Sequence, residues 1–160
     1  MEILVVEDEP EVRAQVASAL TTYGYDVTEV ASADEALRAL REREGAYELV
    51  LLDLVLGPAS GWDVLQEMNR SGLRDSTKVL VLSDASDEEE IIRGWEMGVD
   101  GYQSKPFDPE MLVVKVQEVL LSPREELRER RMAELLRAEL LDLVEPFSDE
   151  EAEPAASEEA

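Results

Sequence analysis

The chain has 160 residues, which suits one domain with a short appendage, and its net charge is −24 at pH 7. Such an acidic surface argues against nucleic acid or an anionic membrane as a direct partner, because both would repel it. The chain has no cysteine and no histidine, which excludes disulfides, thiolate metal sites and a phosphohistidine carrier.

The sequence shows no sign of a targeting signal or a membrane span. The N-terminus passes from Glu2 straight into a predicted strand, and no apolar run approaches the roughly 18 residues of a spanning helix. We therefore expect a cytoplasmic protein without a membrane partner.

Five short segments predict β-strands, and the apolar runs among them are rich in Val and Leu. Their apolar residues do not alternate with polar ones, which is typical of parallel strands buried on both faces. Helical patterns separate them, and alternating strands and helices indicate a parallel sheet with right-handed crossovers. The strands are predicted near residues 2–7, 26–30, 48–53, 78–82 and 100–103.

The intervening segments carry signals for five helices. Apolar residues recur at helical spacing before Gly24, and the third helix is predicted from Gly61 to about Ser71. The fifth is predicted near 109–121. The start signals are the capping-box patterns Ser32 with Glu35 and Ser86 with Glu89, and the N-cap Asp108 followed by Pro109.

A sixth helix is predicted beyond the main domain, which covers residues 1–121. Pro123 disfavours helical geometry at Ser122, so this helix is separate from the fifth. We predict that it lies within 122–146, ending at Pro146, and that the acidic residues 147–160 form a disordered tail.

The sixth helix carries an apolar stripe whose partner the sequence leaves open. The stripe consists of Leu127, Met132, Leu136, Leu140 and Leu143 or Val144. It can mediate a homodimer through residues 123–145, which we favour slightly, dock on the chain's own domain, or bind another partner. The segment is too short for a DNA-binding output domain and lacks a basic stripe.

Polar residues follow four of the predicted strands. Glu7 and Asp8 follow the first, Asp53 ends the third, Ser83 follows the fourth and Lys105 follows the fifth. Since ligands of open α/β sheets bind at the carboxyl ends of strands, we expect one site there. Three neighbouring carboxylates repel one another unless a cation joins them, and hard oxygen ligands suit Mg²⁺.

In this order and spacing, the residues resemble the receiver domain of bacterial two-component response regulators. The resemblance covers roughly residues 1–121. The matching features are the acidic pair in Val5-Val6-Glu7-Asp8-Glu9-Pro10, the phosphoacceptor-like Asp53, Gly61 eight residues later, Ser83, the switch-aromatic position Tyr102, and Lys105-Pro106.

The resemblance implies a flavodoxin-like, doubly wound α/β fold whose five-stranded parallel sheet has the order 2-1-3-4-5, here with an extra C-terminal helix. It implies that Asp53 accepts a phosphoryl group from a phosphohistidine on a histidine kinase or phosphotransfer protein. Lys105 and Ser83 would neutralise the charge on the oxygens of the phosphoryl group. The implied Mg²⁺ ligands are Glu7, Asp8, Asp53 and the carbonyl of Val55.

The resemblance also implies a switch and a backbone feature. Ser83 and Tyr102 would change conformation after phosphorylation, and the Lys105–Pro106 peptide would be cis. Such a phosphoprotein catalyses its own phosphorylation and dephosphorylation and needs no separate enzymatic domain.

Two departures from the family pattern keep alternatives open. Gly57 stands where the family has proline, with Pro58 one place later, and the acidic Asp84 follows Ser83 where a small residue is usual. Asp84 would repel an incoming phosphoryl group, which leaves a non-phosphorylated, receiver-like scaffold as one alternative. The other is a phosphatase of the haloacid-dehalogenase type, although Val55 occupies the place of its second acid.

Overall fold

Five short segments form one parallel sheet in the computed structural model, which describes residues 1–84 and 88–159, with side chains up to 143. The strand order is β2-β1-β3-β4-β5, which confirms the expected flavodoxin-like α/β fold. The strands are β1 (Glu2–Val6), β2 (Asp26–Val30), β3 (Leu49–Asp53), β4 (Lys78–Ser83) and β5 (Gly101–Ser104).

Helices cover both faces of this sheet, and the sequence signals for their starts largely hold. The Ser32 hydroxyl accepts a 3.2 Å hydrogen bond from the amide of Glu35, and the Asp108 carboxylate caps the fifth helix. Ser86, the other predicted cap, lies outside the described residues. The helices are α1 (Pro10–Thr22), α2 (Ala33–Glu42), α3 (Gly61–Ser71), α4 (Glu88–Glu96), α5 (Pro109–Leu121) and α6 (Arg124–Glu159).

The central strands lie between two hydrophobic cores. Val50 and Leu52 of β3 pack into the core beneath α2 and α3, whereas Leu49 and Leu51 point into the core beneath α1 and α5. Each of these side chains is fully buried. Burial on both faces is the reason why the strand segments show no alternation of apolar and polar residues.

A short hairpin after β3 was not predicted. Val55–Leu56 pairs with Ala59–Ser60, and Gly57 in the turn has a φ of 69°. That left-handed conformation is open to glycine but closed to proline, which explains why the family's proline is displaced to Pro58 here.

The last helix is separate from α5, as predicted, but extends further than expected. Ser122 is extended, with φ −76° and ψ 132°. The helix bounds reach Glu159 and pass Pro146, where the sequence predicts the end. A helix can continue through a proline because the φ angle of proline is helical. The continuation destabilises the helix by about 3 kcal/mol, since proline lacks an N–H donor and its ring contacts the carbonyl of the preceding turn. The disorder of residues 147–160 stays a prediction, because the structure does not describe the side chains of this segment.

The first turns of α6 dock on the chain's own domain. Leu127 is buried in the core beneath α1 and α5. Arg131 donates hydrogen bonds to the carbonyls of Gly98 at 3.1 Å and Val99 at 3.3 Å. The later stripe stays exposed, because Met132, Leu136, Leu140 and Leu143 are each 56–65% accessible. This helix therefore has one apolar surface, at Leu127, that docks on the domain, and a second, exposed one that is available for self-association. No helix in the described part of the chain is long and apolar enough to cross a membrane.

Candidate functional site

Three carboxylates meet where β1 and β3 end side by side. Val6 pairs with Leu52, so the next residues along the two strands, Glu7 and Asp53, face each other. Oxygens of Glu7, Asp8 and Asp53 lie within 4.8 Å of one another. Glu7 and Asp53 are buried, and Asp8 is partly exposed. An all-oxygen, triply acidic set open on one side fits a hard cation such as Mg²⁺, which keeps several of its own waters.

Lys105 binds two of the three acids. Its Nζ atom lies 2.8 Å from Asp53 Oδ2 and 3.1 Å from Glu7 Oε2. The Lys105 amide donates to the Ser83 carbonyl at 2.8 Å, which places the side chain at this edge, and the Lys105–Pro106 peptide is cis, as expected. Burial lowers the pKa of the Lys105 ammonium, but hydrogen bonds and charges from Asp53 and Glu7 outweigh burial and raise it.

Glu7 is the acid least able to carry its charge in this arrangement. Burial, followed by the hydrogen bond and charge of Asp53, raises the pKa of Glu7 from 4.5 to about 7, even though Lys105 acts in the opposite direction. Glu7 therefore holds a proton to higher pH than an ordinary glutamate does when no cation is bound. With all three carboxylates ionised, the cluster has two more negative charges than Lys105 can balance, which is a property expected of a divalent cation site.

Local backbone structure fixes the orientation of Asp53. Its Oδ1 atom accepts a 3.0 Å hydrogen bond from the amide of Val55. The first residue of α3, Gly61, donates to the Leu54 carbonyl at 2.9 Å, and a Cβ atom there would overlap the Asp53 carbonyl. Glycine at position 61 thus allows α3 to begin directly against the strand end that carries Asp53.

The acids surround a cavity of about 140 Å³ that Asp84 also lines. Asp84, which is predicted from the sequence to repel an incoming phosphoryl group, has an exposed side chain here. The remaining lining residues are Glu7, Asp8, Glu9, Asp53, Val55 and Lys105. Asp84 thus adds a carboxylate to the lining of the cavity into which the Lys105 ammonium also projects.

The two predicted switch residues both contact α4, and Ser83 directly precedes Asp84 of the cavity lining. The hydroxyl of Ser83 donates to Glu90 Oε1 at 3.4 Å, and the hydroxyl of Tyr102 donates to the Glu90 carbonyl at 3.1 Å. Burial raises the pKa of the Tyr102 phenol, which keeps it a donor. Sequence reasoning missed Glu90, because nothing in the run Glu88–Glu90 distinguishes one acid from the next.

The ring of Tyr102 is held between two residues of α4 that the sequence did not connect with the switch. A Cβ atom on Gly94 would overlap the ring, so the glycine provides its space. The ring of Trp95 lies 5.5 Å away at an interplanar angle of 60°. Trp95 therefore packs against the proposed switch tyrosine.

Comparison with known proteins gives a consistent result. The family model described as "Response regulator receiver domain" matches residues 3–117. The phosphate regulon transcriptional regulatory protein PhoB of Escherichia coli K12 is 35% identical over 118 residues, which are 74% of this chain and 51% of PhoB. The transcriptional activator protein IrlR of Burkholderia pseudomallei is 36% identical over 120 residues, which are 75% of this chain and 50% of IrlR. This chain thus spans about half the length of these curated relatives.

Solved structures share the fold of about three quarters of the chain. The BeF3-activated DrrB receiver domain is 30% identical with a TM-score of 0.66, covering 76% of this chain and 97% of that one. Chemotaxis protein CheY4 of Vibrio cholerae is 25% identical with a TM-score of 0.68, covering 74% and 97%. These comparisons give no support to the haloacid-dehalogenase alternative. On its sequence match, fold and strand-end residues, this chain belongs to the response regulator receiver domain family of two-component systems.

Proposed function

We propose that Asp53 accepts a phosphoryl group from the phosphohistidine of a histidine kinase or phosphotransfer protein. The observation that carries this proposal is the hydrogen bonding of its carboxylate. One oxygen is bound by Lys105 at 2.8 Å and the other by the amide of Val55 at 3.0 Å. A buried carboxylate oriented at both oxygens beside an ammonium group is preorganised for in-line attack on phosphorus.

The transfer needs little from the protein beyond position and charge. An oxygen of Asp53 forms the new P–O bond, while the P–N bond to the donor histidine breaks and its electron pair returns to the imidazole. The transition state spreads negative charge over three equatorial oxygens. Lys105 is placed to neutralise part of that charge, and the hydroxyl of Ser83 can turn from Glu90 to donate to another oxygen.

The side chains of Glu7, Asp8 and Asp53, with the carbonyl of Val55, would hold Mg²⁺. When bound, the ion supplies further neutralisation of phosphoryl oxygen charge. Glu7 would lose its proton to take part, since a protonated carboxyl is a poor ligand. This chain would thereby catalyse its own phosphorylation and dephosphorylation without a separate enzymatic domain.

We propose that the conformational response passes through Glu90. Phosphorylation adds about −1.5 to −2 charges and strong acceptor oxygens. A Ser83 hydroxyl drawn toward them leaves the Glu90 carboxylate, and the same residue holds Tyr102 through its backbone carbonyl. A coupling of about 1–3 kcal/mol, which is typical of allosteric proteins, is enough for a signalling response.

The output is proposed to involve a second copy of the chain. The exposed face of α6 carries Met132, Leu136, Leu140 and Leu143, and burying such side chains stabilises association by about 1.5–3 kcal/mol each before entropy costs. We therefore propose a homodimer through residues 123–145, without direct nucleic-acid contact. Because phosphohistidine is made from ATP inside the cell, the proposed donor places the protein in the cytoplasm.

Intact-mass measurement after incubation with acetyl phosphate and Mg²⁺ tests the assignment. The wild type should gain the mass of one phosphoryl group, and Asp53→Asn should gain none. Asp34→Asn, an exposed acid on α2, is the matched control and should be labelled like the wild type. Absence of labelling in the wild type would favour the scaffold alternative, and repeated turnover of p-nitrophenyl phosphate would favour the phosphatase.

A further inference from the structure

A second charged cavity lies at the amino ends of the strands, whereas the acidic site lies at their carboxyl ends. It lies between the start of α6 and the residues that precede β4 and β5, and its volume is about 230 Å³. Its charged lining consists of the guanidinium groups of Arg74, Arg124, Arg128 and Arg131 and the carboxylates of Asp75 and Asp100. Four positive charges against two negative ones make a local surplus in a chain whose net charge is −24.

Two of the four arginines have structural partners. Arg74 donates to Asp100 Oδ2 at 2.7 Å and to the Gly98 carbonyl at 2.8 Å, and its side chain is only 13% accessible. Arg131 donates to the Gly98 and Val99 carbonyls and lies 3.6 Å from Asp100 Oδ1. The charge of Asp100 is therefore already shared between two arginines, and it cannot neutralise the others.

The other two arginines, Arg124 and Arg128, are exposed and one helical turn apart, so they share one face of α6. Within residues 1–84 and 88–143, neither guanidinium group has a hydrogen bond or ion pair with another side chain. Burial lowers the pKa of Arg74, the charge and hydrogen bond of Asp100 oppose this shift, and the charges of Arg131 and Arg124 add to it. The four guanidinium groups thus leave a surplus of positive charge in the cavity that an anion can neutralise.

We propose that this cavity binds the diphosphate group of a small oligophosphate, either free or as part of a nucleotide. Guanidinium groups bind phosphate oxygens in pairs, and Arg124 and Arg128 offer one such fork for each phosphate. The cavity would otherwise hold several waters of roughly 30 Å³ each, so a compact ligand fits. A ligand held between Arg128 of α6 and Arg74 of the domain also fastens α6 in place. This inference does not depend on phosphorylation of Asp53.

Titration calorimetry of the full chain with inorganic pyrophosphate tests the proposal. Mg²⁺ is omitted, and salt of about 0.15 M limits diffuse attraction to a Debye length of about 8 Å. The wild type should bind one pyrophosphate, and Arg124→Gln with Arg128→Gln should weaken binding at least about tenfold, because charge-assisted hydrogen bonds are lost. Arg130→Gln is the matched control: it lies on the same helix but pairs with Glu118 and Glu126, and it should bind normally.

Two further titrations identify the ligand and test whether pyrophosphate binds at the acidic site instead. Asp53→Asn should bind pyrophosphate as the wild type does, since the two cavities lie at opposite ends of the strands. Tighter binding of ADP than of pyrophosphate would indicate a nucleotide, and equal binding would indicate the diphosphate group alone. The proposal is overturned if the wild type shows no binding at millimolar pyrophosphate, or if Arg130→Gln weakens binding as much as the double variant.

Discussion

The ring of Tyr102 occupies the space that a Cβ atom on Gly94 would take. This contact joins β5 to α4, and the Tyr102 hydroxyl strengthens it with a 3.1 Å hydrogen bond to the Glu90 carbonyl. The position of α4 is therefore tied to the side chain that the family resemblance identifies as the switch aromatic.

Gly94→Ala should destabilise the protein by about 1–3 kcal/mol, because the added methyl group overpacks against Tyr102. In a Tyr102→Ala background the same substitution should instead stabilise the helix by up to about 1 kcal/mol, since alanine is the better helix former. Urea unfolding of the four proteins measures this cycle. Equal costs of Gly94→Ala in both backgrounds would show that the ring is not the cause.

Ser83→Ala should still accept phosphate at Asp53, because the nucleophile and Lys105 remain. It should lose most of the response around Tyr102, since the hydroxyl that links the cavity to Glu90 is gone. Amide chemical shifts of Tyr102 and Trp95 before and after acetyl phosphate are the measurement. Wild-type shift changes in phosphorylated Ser83→Ala would rule out this coupling. Thr22→Ala, which removes a hydroxyl of α1, is the control.

Asp84→Ala should accelerate phosphorylation by acetyl phosphate. Asp84 lines the acidic cavity, and removing one unit charge near it lowers the repulsion of an incoming anion by roughly 1 kcal/mol at 4 Å in water, or about fivefold in rate. Glu42→Ala removes one charge from an exposed position on α2 and should leave the rate unchanged. An unaltered rate in Asp84→Ala would mean that the carboxylate does not obstruct access.

In the metal-free protein, the contribution of Glu7 to the free energy of unfolding should fall as pH rises from about 4.5 to about 7. Its pKa is raised to about 7 by burial and Asp53, so the folded chain keeps a proton that the unfolded chain releases above about 4.5. Glu7 contributes its full stabilisation below pH 4.5, the pKa of this carboxyl in the unfolded chain. The stabilisation is lost as pH rises through about 7, its pKa in the folded chain. Urea unfolding in EDTA across this range should show a shallower decline for Glu7→Gln, and identical declines would contradict the assignment.

Self-association through α6 should be weakened by Leu136→Gln with Leu140→Gln, which removes two exposed members of the stripe. Added salt should strengthen association, because residues 122–160 contain five arginines and 13 acids, a net charge of −8, and salt screens their repulsion. Sedimentation at tens of micromolar protein measures both effects, with Leu121→Gln as a control outside α6. A monomeric wild type at moderate salt would leave docking on the chain's own domain as the role of this helix.

The sequence determined those features that depend on neighbouring residues. Runs rich in Val and Leu predicted the buried strands β1, β3 and β4, and Ser32, Asp108 and Pro123 marked helix starts that the structure confirms. The residues at the strand ends could be assigned to one edge because parallel strands bring their carboxyl ends together. The family resemblance then gave the strand order, which periodicity alone leaves open.

Only the tertiary structure decided the contacts between distant segments. Nothing local indicates that Glu90 would join Ser83 to Tyr102, or that Gly94 would accommodate an aromatic ring from β5. The arginine cavity likewise combines α6 with residues 50 or more positions earlier, such as Arg74. Local sequence encodes propensity and pattern, whereas such contacts depend on how the crossovers fold helices against the sheet, and that packing is specified by the whole chain at once.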